Sequence, residues 1–182
     1  MTTIDHTHSG ISFAPGARAR RAPLARALDR AIATPRDTSA TVARVALGVI
    51  MLPHGMQHAL GFLGGYGFSG TFGWMTGTLG FPAPLAALAI ITELVAPFLL
   101  IAGLGGRAAA LGIIGIMAGA VMTHAPSGFF MNWFGKLPAG SVWFEYHLVV
   151  AALAAVVVIK GSGALSLDRL VSDRVGAEVG RQ

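Results

Sequence analysis

Long apolar runs separated by short polar clusters set the plan of this chain. Between Arg44 and Glu93 there is no Lys, Arg, Asp or Glu. A bilayer hydrocarbon core of about 30 Å needs about 20 apolar residues in a helix. Four segments meet that requirement: roughly Ala40 to Gly61, Ala83 to Gly103, Arg107 to His124 and Ser141 to Lys160. The pattern predicts an all-α fold, a transmembrane four-helix bundle. Residues 1–38 form an N-terminal extension, residues 39–160 the membrane domain and residues 161–182 a C-terminal tail. Leu24, Leu28 and Ile32, set against Arg26, Asp29 and Arg30, predict a short helix on the membrane surface. The residues before it are rich in Thr, Ser, Pro and Arg, a composition that predicts disorder. The polar leader and long first apolar run do not read as a secretory signal.

Composition agrees. The 182 residues are 54% hydrophobic and only 12% charged, and the mean hydropathy is +0.67. Soluble domains carry about 25% charged residues. The absence of cysteine excludes disulfides, cysteine-ligated iron–sulfur clusters and covalently attached c-type haem. Six arginines, from Arg18 to Arg36, precede the first apolar segment; Arg107 lies in the second connection, and Arg169, Arg174 and Arg181 lie in the tail. The outer connections hold only Lys136. Basic residues stay on the cytoplasmic side, so both termini are expected in the cytoplasm, in the inner membrane. The arginines then contact anionic lipid. Nucleic acid is not an expected partner, since the tail holds no binding motif.

Two Gly- and aromatic-rich outer connections, "GGYGFSGTFGWMTGTLGFP" and "APSGFFMNWFGKLPAG", suit re-entrant or interfacial segments with Tyr66, Phe68, Phe72 and Trp74 near the headgroups. Gly115 and Gly119 form a GxxxG, read as ordinary close helix packing. In "SLDRLVSDRV", Ser166 or Asp168 is an N-cap candidate, and Leu167, Leu170 and Val171 can dock on the membrane or the bundle.

Ionisable groups inside spans are costly, which makes each a functional candidate. The set is His54, His58, Glu93, His124, Glu145 and His147. Counting about 1.5 Å per residue sets His54 and Glu93 near the midplane and the others toward the outer side, sparing the inner half. His54 and His58 differ by about 40° around a helix and share a face. Glu145 and His147 differ by about 200°. Glu145 is expected inside, because a carboxylate facing lipid costs more than a neutral imidazole; His147 is then assigned to a subunit interface. Pro53 and Pro97 release the carbonyls of Val49 and Glu93, so a kink is expected beside each midplane group. Glu93 reads either as a proton carrier or as a structural partner of a histidine on the first helix. The histidine pair lacks an HExxH, and no metal site is assigned.

At this point the chain resembles the DoxX family of small four-helix membrane proteins. The resemblance runs over about residues 42 to 170, through "HGMQHALGF", "GTFGWMTGTLGFP", "ELVAPFLLIAGLGGRAAAL", "MAGAVMTHAPSGFF", "FEYHLVV" and "GSGALSLDRL". His58 stands where members usually carry lysine, and Pro97 lies where a glycine pair commonly follows the acidic residue. The resemblance implies a membrane component linked to oxidoreductase systems. One branch resembles the small subunit of thiosulfate:quinone oxidoreductase; others are associated with oxidative-stress enzymes.

The combined expectation is a quinone-linked oxidoreductase subunit. Glu93 and His54 would act catalytically, and His58, His124 and Glu145 would bind a quinone-like cofactor. A b-type haem held by His54 or His58 with His124 is the alternative cofactor. A membrane anchor for soluble redox enzymes, or a small-solute permease, is the non-enzymatic alternative. Protein partners or self-association are expected.

Overall fold

A computed structural model describes residues 34–130 and 143–179. The Arg-rich tail, its expected surface helix and most of the second outer connection lie outside the described residues. Every regular element among the described residues is helical. Helix α1 spans Thr38–Gly55 and runs on into a π-helical turn, Met56–Leu60. Helix α2 spans Gly67–Gly77, α3 Ala83–Ala102, α4 Gly106–His124, α5 Glu145–Lys160 and α6 Leu167–Val179. Helices α1, α3, α4 and α5 pack in a closed ring, each against the next. Three segments, Thr38–Leu60, Ala83–Ala102 and Gly106–Ser127, are long and apolar enough to cross a membrane. The 16-residue α5 is shorter than that among the described residues.

The ring closes over Leu47, Met51, Leu100, Ile113, Met117, Val150 and Val157, all buried. Its outside is apolar as well: Val42, Leu88, Ile91, Leu111, Val149 and Ile159 are exposed. Helices that are apolar all round belong in hydrocarbon rather than in water. The first outer connection, expected to be re-entrant or interfacial, folds as the 11-residue α2, which packs on the π turn and on α3. At 1.5 Å per residue it reaches about 16 Å, too short to cross.

Glycine permits the closest helix contact, though at other positions than expected. Gly115 has open space where a Cβ would stand, and Gly119 meets only the Phe81 ring at ordinary distance. Among the described residues, the GxxxG therefore does not bring two helices together. Instead, a Cβ at Gly55 would fall on the backbone of Glu93 and Leu94, and one at Gly48 would meet Ile101 and the Pro97 carbonyl. Pro97 cannot donate to Glu93, and the carbonyl it leaves lies against Gly55. Gly55→Ala is expected to force α1 from α3 and to cost about 1–3 kcal/mol. The check is the thermal midpoint in detergent, with Gly115→Ala unchanged as the control.

The opposite end of the ring holds a polar knot built on Arg44, which lay outside the ionisable set singled out from the sequence. Arg44 is only 1% exposed. Its guanidinium donates to the carbonyls of Leu100 and Ile101 at the end of α3, and to those of Ser162 and Leu165. The last carbonyls of a helix lack intrahelical donors and sit at its negative pole, so a cation there meets both needs. Asp168, 3% exposed, accepts from the amides of Gly105 and Gly106 at the start of α4 and from Ser162 Oγ. It thus caps α4 from α6. Ser166 Oγ accepts from the Arg169 amide and is the N-cap of α6.

At this same end Lys160 Nζ meets Asp37 Oδ2 at 2.7 Å, which sets the start of α1 beside the end of α5. Asp37 is also the N-cap of α1, accepting from the amides of Ser39 and Ala40. Lys160 first, then Ser39 and the Ala40 amide, hold its carboxyl far below the usual carboxylate range.

Candidate functional site

Opposite the Arg44 knot, four helices bring together most of the sequence-selected groups, in pairings of their own. His58 Nδ1 lies 2.6 Å from Glu93 Oε2. Glu93 is 8% exposed on α3. Counting along straight helices set His54 level with Glu93; the structure gives Glu93 to His58. The π turn is the local cause. There the Gly61 amide donates to Met56 O, and the turn holds one more residue than an α turn. The wider turn carries His58 toward α3, while His54 faces α5.

His54 Nε2 lies 3.3 Å from the Tyr146 hydroxyl, with ring centroids 5.9 Å apart. Tyr146 stands edge-on to His147 at 5.7 Å, and His147 lies 5.2 Å from His124. His124 Nδ1 meets Thr123 Oγ1 at 2.7 Å and faces the Ala120 carbonyl at 3.0 Å. The rings therefore form a row across the bundle: His54, Tyr146, His147, His124. The Glu93–His58 pair stands apart from this row.

One assignment on α5 changes. His147, expected at a subunit interface, is buried at 8% exposure. Glu145, expected inside, is half-buried at the first position of α5, its amide donating to Phe129 O at 3.2 Å. The contacts between histidines run through Tyr146 and His147. The stripe His147, Val150, Ala154, Val157 is the buried face of α5. Apolar residues also cover the other faces of α5, so periodicity gives no preferred side.

Two buried polar atoms lack a hydrogen-bond partner among the described residues: His147 Nδ1 and Thr71 Oγ1. The carbonyls of Trp143 and Phe144 approach the His147 ring without reaching hydrogen-bond geometry. Buried polar atoms are nearly always paired, so an orphan at a cluster of titratable rings marks a place for a ligand atom. Sequence reasoning missed Tyr146 and Thr71. Tyr146 is one of only two tyrosines, next to a histidine in a charge-poor helix, and that was the available signal.

Between α4 and α5 runs an apolar groove lined by Ile114, Met117, Ala118, Val121, Met122, Leu148 and Ala151. Val121 and Leu148 bring it to within a helical turn of His124 and His147. No group of three or more His, Asp or Glu side chains among the described residues is placed to hold a metal ion.

Apolar helices with outward apolar faces and polar groups turned inward define an all-helical membrane protein. Residues 39–126, just under half of the chain, match the family model DoxX, which supports membership of the DoxX family. That match covers α1 to α4; Tyr146 and His147 lie beyond it. No curated protein and no solved structure matches the chain.

Proposed function

We propose that this protein is the quinone-binding membrane subunit of an oxidoreductase system. In this reading α5 is a fourth span, both termini are cytoplasmic, and the ring row lies in the outer half of an inner-membrane bundle. The observation that carries the proposal is the buried Nδ1 of His147, without a hydrogen-bond partner among the described residues and set in a row of titratable rings. A quinone has a polar head with two carbonyl acceptors and an apolar tail, and it carries two electrons with two protons. His147 offers a donor to a head carbonyl in the tautomer that bears its proton on Nδ1. The groove suits the tail. His124 and the His54–Tyr146 pair are the adjoining proton-exchange groups, and Glu93 with His58 is a further acid–base pair.

The test is titration of the reconstituted protein with a short-chain quinone. His147→Phe keeps the ring and removes the donor, and is expected to weaken binding about tenfold or more. An absence of binding by the wild-type protein sinks the proposal. A Soret band in the purified protein would assign the histidines to haem instead.

A further inference from the structure

Helix α6 is held by one flank and bare on another. Asp168 faces the bundle, where it caps α4, and its own amide donates to Gly103 O at 2.9 Å. Arg169 and Asp173 form an i,i+4 ion pair at 3.4 Å. Leu167, Leu170 and Val171 are 42%, 56% and 45% exposed, and at 100° per residue they share one face with Arg174. Leu165, 80% exposed, extends this face. A groove lined by Ala102, Ala164, Leu165, Leu167 and Leu170 joins it to the end of α3.

The attachment sets the depth of α6. Its first turn is tied to Gly103, Gly105 and Gly106, the turn between two helices long enough to cross a membrane. That turn is where both leave the hydrocarbon. At 13 residues, α6 reaches about 20 Å and cannot itself cross. The chain here carries Arg36, Arg107, Lys160, Arg169 and Arg174 against Asp37, Asp168, Asp173 and Glu178, a slight basic excess. An apolar face with Arg174 at its middle, starting at the hydrocarbon boundary, fits anionic lipid.

We infer that α6 is an interfacial helix, lying in the leaflet at the Arg44 end with Leu167, Leu170 and Val171 against acyl chains and Arg174 among anionic headgroups. Long basic side chains reach the headgroups while their stems cover apolar surface. The inference rests on the reading of α1, α3 and α4 as membrane spans.

Because the chain has no cysteine, single spin labels report cleanly. Leu170→Cys, Asp173→Cys and Leu88→Cys are labelled in the full chain, in vesicles of phosphatidylglycerol and phosphatidylcholine. Collision with oxygen reports the bilayer, and collision with a nickel chelate reports water. The oxygen-to-chelate ratio is expected to be several-fold higher at Leu170 and Leu88 than at Asp173. In phosphatidylcholine alone the Leu170 ratio is expected to fall, and an unchanged ratio overturns the role of headgroup charge. A Leu170 label that behaves as Asp173 does, while Leu88 stays in the bilayer, overturns the inference and leaves the spans intact. A Leu88 label facing water overturns the spans themselves. A Leu170 label shielded from both probes assigns the face to a protein and also overturns the inference.

Discussion

Arg44→Leu is expected to destabilise the bundle by about 3–5 kcal/mol, the usual effect of breaking a buried charged network from one side. The substitution removes donors from four carbonyls at once: Leu100, Ile101, Ser162 and Leu165. Each buried acceptor left unpaired costs about 1–3 kcal/mol before relaxation. Asp168, joined to the same knot through Ser162, also loses a neighbouring cation. Leucine is nearly as apolar as the surroundings demand, so a purely hydrophobic account of this end predicts the opposite sign. Arg44→Lys keeps the charge but lacks the planar fork, and should fall between the two. Thermal unfolding in detergent, followed by tryptophan fluorescence, makes the comparison. A midpoint for Arg44→Leu equal to that of the wild-type protein would show that the knot contributes nothing net.

Glu93→Gln is expected to slow proton-coupled quinone turnover by ~10²–10⁴-fold, the range for loss of a general acid–base group. Gln keeps the shape and one acceptor for His58, so stability should change by no more than about 2 kcal/mol. The two readouts therefore separate a proton carrier from a structural partner. A structural role predicts loss of stability with turnover preserved in whatever protein remains folded. The measurement is quinone reduction by the reconstituted protein, normalised to the folded fraction from a parallel melt.

How far the sequence alone reaches follows from the kind of signal each residue leaves. Charge-free runs marked α1, α3 and α4, because hydrocarbon tolerates few charges. Pro97 pointed correctly to a free carbonyl at Glu93, since a missing N–H depends on residue identity alone. The π turn at Met56–Leu60 left no such mark, so a histidine partner for Glu93 on the first helix was legible only as one reading, with neither histidine singled out. His147 was placed at an interface for a related reason: on a helix apolar on every side only a solvation argument was available, and it did not foresee the rings that bury His147. Arg44 looked like a boundary residue because its acceptors come from residues 100, 101, 162 and 165. No local pattern encodes a knot assembled from such distant carbonyls. Gly55 and Gly48 held α1 to α3, while the more conspicuous GxxxG of α4 has no partner helix at Gly115.

The most direct test of a proton-exchanging quinone site is the redox-induced infrared difference spectrum of the reconstituted, quinone-loaded protein. On quinone reduction, the proposal predicts a carboxyl band that shifts in heavy water and disappears in Glu93→Gln. A spectrum without a carboxyl band, or one whose band persists in Glu93→Gln, would contradict it.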